Sequence, residues 1–449
     1  MEKSDKQEER NNKFTDIKIF PVPFPLGENL ENLAININTP SKLSKETIIN
    51  QAFKFHSQGN ILEAAKYYQF FINQGFNDHR AFSNYGTILK DLGKLEEAEF
   101  FYRKAIEIKP DYPTAYSNLG VILKDLGKLE DAELYTRRAI EIKPDYAQAH
   151  YNLGNVLSDL GKLKEAELSY RKAIELNPDL AIAHSNLGNV LRDLGKLKEA
   201  ELSYRKAIEF KPDFADAYYN MGNILKNVGK LYDAINCYKK AIEFDNEFSL
   251  AKSRLIESNG EICDWSDQET QAIWLDKLGI EGSAINPMGL FYLEDNPLKQ
   301  LKLAKKLYKE KYFKESKPLA NFKNKKIHIG YFSADFRAHP MMFLMGSMFK
   351  LHDKSKFKIY LYSFVRKEDE YTKIARESGC IFRDIKELND IEAVELARSD
   401  KLDIAVDLMG YTRHNRMPIF SYRVAPIQIN YLGFPGSTGS DTIDYIIAD

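Results

Sequence analysis

The chain has 449 residues, more than one ordinary core accommodates, so two or three domains are expected. Its 64 lysines and arginines against 65 aspartates and glutamates leave a formal net charge of −1, without the basic excess that nucleic-acid or membrane-surface partners draw on. Cys237, Cys263 and Cys380 are odd in number with no CxxC spacing, which argues against a disulfide framework or a metal site and for a reducing, cytoplasmic setting.

In chain order, residues 1–46 open with the charged run MEKSDKQEERNNK and read as a disordered tail and linker with no secretory leader. No apolar stretch approaches the ~18 residues of a membrane span, so no membrane partner is expected. From residue 47 to 250 a 34-residue clock takes over. Gly93, Gly127, Gly161, Gly195 and Gly229 keep it, as do Ala98, Ala132, Ala166, Ala200 and Ala234. Pro110, Pro144, Pro178 and Pro212 end four units, and a weaker copy with Gly59, Ala64 and Phe76 precedes them. Inside a unit, AYSNLGVILKDL puts Leu119, Ile122 and Leu123 at helical spacing, and GKLEDAELYTRRAIEI starts a second amphipathic helix. Small residues at Gly120, Ala132 and Ala139 let the two helices approach closely, and Pro144 stops the second. These features resemble the tetratricopeptide repeat, which implies six units stacked as an α-solenoid, a right-handed superhelix with a concave groove.

One polar position recurs in the first helix of every unit: Asn50, Asn84, Asn118, Asn152, Asn186 and Asn220. Asparagine is a mediocre helix former, and its amide can both donate to and accept from the backbone of an extended peptide. A peptide-gripping ladder is expected. The competing explanation is copying, since the units from Gly161 and Gly195 share GKLKEAELSYRKAIE unchanged; the diverged first unit, which keeps Asn50, weighs against it.

Residues 251–325 read as capping and transition helices. AKSRLIES caps the array, with Arg254 where the next asparagine would fall, and Trp265 and Trp274 are expected in the core. In KQLKLAKKLYKEKYFK, Leu301, Leu303, Ala304 and Leu307 give one buried side, so the lysines are expected on a solvated face rather than on phosphate. PLANFKNKK is a linker.

Residues 326–449 alternate strands (KIHIGYF, FKIYLYSF, LDIAVDLM, IQINYLGF, IDYIIAD) with helices (PMMFLMGSMFKLH, DEYTKIARES, DIEAVELARSD), which predicts a Rossmann-like parallel sheet covered on both faces. Ligands bind such sheets beyond the carboxyl ends of the strands, where the loops SADFRAHP, GYTRHNR and GFPGSTG fall. Their candidate residues are Asp335, His339, Tyr411, Thr412, Gly433, Pro435 and Gly436. His339 precedes Pro340, which suits a first helical position, and a positive helix end favours a neutral imidazole able to accept a proton. GFPGSTG is neither GxGxxG nor a P-loop, so its glycines either shape turns or admit a ligand.

IHIGYFSADFRAHP, LDIAVDLMGYTRHNR and APIQINYLGFPGSTGSDTIDYIIAD, in this order behind the repeats and ICDWSD, resemble the catalytic region of the protein O-GlcNAc transferase family, Spindly-type O-fucosyltransferases included. The resemblance implies a two-lobed GT-B glycosyltransferase that moves a sugar from a nucleotide sugar, UDP-GlcNAc foremost, to Ser or Thr of acceptor proteins or peptides in the superhelix groove. It further implies inversion, with neither metal nor other cofactor. By motif match His339 stands beside sugar and acceptor hydroxyl, Asp400 is an acid implicated in taking the hydroxyl proton, and Asp403 replaces a histidine of some members. The same match implies that the chain carries the first lobe, with the nucleotide-binding second lobe absent and turnover by the chain alone not expected. A rival reading is a non-catalytic adaptor that binds peptides and keeps a relic half-enzyme. The repeats also offer a surface for self-association.

Overall fold

The structure is a computed structural model that describes residues 44–447 except Asp267, Phe291, Tyr292, Glu294, Lys317 and Asn321. The expected disordered tail therefore lies, up to residue 43, outside the described residues.

From Lys45–Ser57 to Leu231–Phe244, helices alternate as six antiparallel hairpins, and Ser249–Glu261 packs on the last of them as a cap. Each hairpin turns in the same way. Gly127 sits at φ +75°, its N–H bonds to Lys124 O at 2.9 Å and the Lys128 N–H to Leu123 O at 2.8 Å. This is a Schellman closure, and its left-handed residue is why the clock keeps glycine there. Alanines at the clock positions are fully buried between paired helices. A second clock was not expected: Tyr68, Tyr102, Tyr170, Tyr204 and Tyr238 are buried at 34-residue steps, with Thr136 in the remaining place. Tyr170, Tyr204 and Tyr238 donate to Asn155, Asn189 and Asn223 at 2.7, 2.8 and 3.0 Å, and each ring covers a glycine of its hairpin.

The transition region differs from expectation in three ways. Only Gln268–Leu275 of ICDWSDQETQAIWLDKL is helical. Trp265, expected in the core, is 44% exposed, whereas Trp274 packs beneath the cap. The helix Pro297–Leu307 and the π-turn Tyr308–Tyr312 belong to the α/β unit, because Ala304, Leu307 and Tyr308 join its core.

That unit is one parallel sheet in the order β3-β2-β1-β4-β5-β6. The strands are β1 (Ile327–Ser333), β2 (Phe357–Ser363), β3 (Ile381–Asp384), β4 (Ile404–Asp407), β5 (Ile427–Tyr431) and β6 (Tyr445–Ile447). Alternation along the strands feeds two cores. Ile329, Tyr331, Ile359 and Leu361 face the helices Pro340–Met345 and Met348–Leu351, while Phe332, Tyr360 and Tyr362 face Asp390–Ser399 and Pro297–Leu307. Sequence reading missed β3, whose IFRD is too short and too polar for a strand signature. It also took PMMFLMGSMFKLH as one helix, whereas Gly346 and Ser347 break it.

Candidate active site and junction cleft

All strands run parallel, so the three loops after β1, β4 and β5 emerge at one edge. Side chains tie them together. The Tyr411 hydroxyl donates to Thr438 O in the β5 loop, and its ring stacks on Tyr312 at 5.4 Å and meets Phe434 edge-on at 5.2 Å. Tyr411 is therefore a buried pin, 1% exposed, at the wall of the cleft described below, and burial pushes its hydroxyl well above the usual tyrosine range. Gly433 is likewise a packing residue, since a Cβ there would collide with the Leu408 carbonyl. Thr412, half-buried, donates to Met409 O at 2.8 Å, and Pro435 and the half-buried Gly436 lie on the open side of their loop.

His339 caps the helix Pro340–Met345, with Pro340 at its first position. Its Nδ1 accepts from the Met341 N–H at 3.3 Å and lies 3.7 Å from Asp335 Oδ2. With Nδ1 taken up by the helix cap, Nε2 is the ring nitrogen left to face a ligand. Asp335 is itself engaged by Arg337 at 3.0 and 3.2 Å.

Asp400 does not join this edge. It follows the helix Asp390–Ser399 and precedes β4, at the opposite, amino end of the sheet. Its side chain is 8% exposed, accepts from Arg383 at 2.6 and 3.0 Å, and takes the Tyr362 hydroxyl at 2.7 Å. The expected catalytic acid is thus a structural ion pair. Asp403 is similarly local, accepting from the His328 N–H and from Asn324, both at 2.8 Å.

A second acid at the carboxyl end, beside Asp335, is Asp407, which sequence reading enclosed in its strand. Buried, it accepts from Met409 N at 2.9 Å and Gly410 N at 3.0 Å, which sets the turn into GYTRHNR. Burial pushes its carboxyl up to about 6, against those bonds. Next to it, Asn430 has a buried carbonyl oxygen with no hydrogen-bond partner. An acid closing an apolar strand, AVD, was the available signal.

Between the last repeats and this edge lies a cleft of about 840 Å³. Asn223, Lys226, Asn227, Arg254 and Trp265 form the repeat side, and Thr412, Arg413, His414 and Asn415 the α/β side. Asn220 and Asn223 are half-buried on the helix Ala215–Asn227 that reaches it. Elsewhere the ladder is mostly occupied. Asn84 donates to Tyr68 at 3.0 Å, and Asn186 donates to Asn155 at 3.0 Å. Asn152 is buried between Ser117 and Gln148, which rules it out as a groove contact, while Asn50 is exposed on the first helix. The asparagines at 155, 189 and 223 form a parallel row that the same clock would have revealed.

Residues 299–449 match the family model described as Glycosyl transferase family 41. Tetratricopeptide-repeat models match 86–127, 113–146, 147–180, 169–201, 188–229 and 215–248 ahead of it. The chain is similar to the protein of Arabidopsis thaliana named "Probable UDP-N-acetylglucosamine–peptide N-acetylglucosaminyltransferase SEC", 35% identical over 126 residues, 28% of this chain and 13% of that protein. SPINDLY of Oryza sativa subsp. japonica is 37% identical over 126 residues, 27% of this chain and 14% of the relative. The UDP-N-acetylglucosamine–peptide N-acetylglucosaminyltransferase of Caenorhabditis elegans is 35% identical over 127 residues, 28% of this chain and 11% of that one. The matched stretch thus spans well under two thirds of each relative's length. Among solved structures, an O-GlcNAc transferase mutant of Thermobaculum terrenum aligns with a TM-score of 0.41 and 23% identity over 68% of this chain and 53% of that one. No helix among the described residues is long and apolar enough to cross a membrane.

Proposed function

We propose that the chain serves protein O-glycosylation: its repeats hold an acceptor polypeptide and present a Ser or Thr hydroxyl, through the junction cleft, to the rim that carries His339. A nucleotide sugar, UDP-GlcNAc by kinship with the relatives' names, is the donor, and transfer proceeds with inversion and without a metal. The observation that carries this reading is the family 41 segment docked on the repeats so that one cleft is lined by both. An inverting transfer needs the hydroxyl aligned with the anomeric carbon and the departing diphosphate stabilised. His339 supplies alignment, because its Nε2–H can donate to a substrate oxygen while Nδ1 is held by the helix cap.

The test is transfer of labelled GlcNAc from UDP-GlcNAc to Ser/Thr peptides by the protein expressed with whatever coding sequence adjoins it. His339→Ala should lower kcat at least about tenfold while peptide Kd stays within about twofold, since about 1.4 kcal/mol of alignment corresponds to tenfold in rate. Asp400→Ala should instead lower thermal stability, by about 2 kcal/mol through the stranded Arg383, with no selective loss of kcat. Peptide binding without transfer would leave a non-catalytic adaptor and overturn the proposal.

A further inference from the structure

The cap helix Ser249–Glu261 ends in the same closure as the hairpins before it, with one substitution. The Asp264 N–H bonds to Asn259 O at 2.9 Å and the Cys263 N–H to Gly260 O at 3.2 Å, the pattern that Gly127 and Lys128 make. Here the left-handed residue is Cys263, at φ +55°, where the hairpins have glycine. A residue with a Cβ is strained in that conformation. The Asp264 carboxylate then accepts the Ser266 N–H at 3.0 Å, which fixes the backbone on both sides of Trp265.

A second fixed turn stands on the same cap. The 3-10 turn Pro287–Leu290 packs against the helix Ser249–Glu261, so closely that a Cβ at Gly289 would lie 2.6 Å from the Glu257 side chain. Asn286 ties this turn to the α/β unit: its oxygen accepts the Met288 N–H at 3.0 Å, and its amide donates to Tyr411 O at 2.9 Å. Trp265 is 44% exposed and Met288 43%, and both line the junction cleft. Single exposed apolar residues are ordinary on a surface, but two in one cleft on hydrogen-bonded turns make a preformed contact for an apolar group. Side chains presented on fixed backbones lose little freedom on binding, and a thioether adapts to the shape it meets.

Charge points the same way. On the repeat side of the cleft, Lys226 pairs with Glu261 at 2.9 Å and Arg254 with Glu257 at 2.7 Å. These four charges are matched to one another, so this wall favours a neutral occupant. The helix Ala215–Asn227 carries Asn220 in the inner row and Asn223 at the cleft, so a polypeptide following that row arrives at this wall.

We propose that Trp265 and Met288 form an apolar subsite in the junction cleft that takes an apolar side chain of the bound polypeptide. This rests on the acceptor-holding reading given above and adds to it a side-chain preference. The strained turn at Cys263 and the Asn286 tie hold the two side chains in place before the polypeptide binds.

The experiment uses the whole chain and short fluorescein-labelled peptides of Ser, Gly and Asn that differ only at the central residue: Ser, Glu or Leu. Fluorescence anisotropy should show the Leu peptide binding at least about fivefold tighter than the other two, as removal of a leucine side chain from water predicts. Unlike an ionic preference, that gap should persist as salt rises. The double variant Trp265→Ala and Met288→Ala should erase the gap while circular dichroism shows the fold retained. In the variant Trp274→Phe, Trp265 is the one tryptophan left, and its emission should move to the blue as unlabelled Leu peptide is added. Equal affinities for the three peptides, tighter binding of the Glu peptide, a gap that survives in the double variant, or a Trp265 emission unmoved at saturation would each overturn the subsite and leave the acceptor reading standing. No binding of any peptide would overturn both.

Discussion

Asp407 and Asp400 show how much a carboxylate's meaning depends on which end of a strand it occupies. Native Asp407 keeps its proton up to about pH 6, whereas the unfolded chain releases it near the ordinary 3.8. A carboxyl with a raised folded pKa makes the native state bind more protons between those values, so its contribution to stability falls as pH rises through that window. That difference corresponds to about 3 kcal/mol as an order of magnitude. Asp407→Asn removes the titration. In urea unfolding of the α/β unit, wild type should therefore lose ground to the variant between pH 4 and pH 7, and a difference that stays constant over that range would contradict the assignment. Asp400 was singled out by motif match and Asp407 was passed over. The surroundings of neither could be read from the sequence, because desolvation and ion pairing are set by groups far along the chain: Tyr362 and Arg383 for one, Asn430 and the closed β4 turn for the other.

In four of the six hairpins, the first helix carries a glycine against which the second helix lays its tyrosine. At Gly188 a Cβ would stand 2.6 Å from the Tyr204 ring, and at Gly154 and Gly222 the approach is equally close, whereas Gly86 would meet Tyr102 at 3.3 Å. A ring packed on all sides cannot step aside cheaply, so Gly188→Ala should destabilise the array by about 1–3 kcal/mol. Gly86→Ala has room for a small adjustment and gains about 0.5–1 kcal/mol of helix preference, so its net effect should lie near zero. Chemical denaturation of the two variants side by side checks the contrast, and equal losses would refute the packing account. The glycine, alanine and proline clocks made this element legible in advance, because repetition shows which positions a hairpin cannot vary. The isolated elements of the α/β unit were harder to read. β3 is four residues long, and its pairing with β2 supplies the order that its own composition does not.

Across the whole molecule, the inner asparagines divide into those spent on holding neighbouring units together and those that remain near the cleft. Asn152, locked to Ser117 at 3.0 Å, should cost about 1–2 kcal/mol of stability when changed to Ala and leave peptide affinity nearly unchanged once folding is allowed for. Asn220→Ala, with no such bond to lose, should leave the melting temperature within a degree or two and weaken peptide binding severalfold. Calorimetry and anisotropy on the two variants separate the roles, and the reverse pattern would remove the groove reading of the ladder. Between the units, Glu133 bridges Arg137 at 2.8 Å and Lys162 at 2.7 Å, and homologous pairs recur along the array as exposed links of small individual worth. By itself the sequence determined the repeat period, the helix–turn–helix unit, the parallel α/β class and the three loops at one edge, because these follow from local periodicity, turn chemistry and strand polarity. Tertiary structure alone decided that Asp407 is buried at that edge while Asp400 is held in an ion pair, that Tyr411 is a pin and that Trp265 faces a cleft. Those outcomes depend on contacts between residues distant in sequence, and no local pattern encodes them.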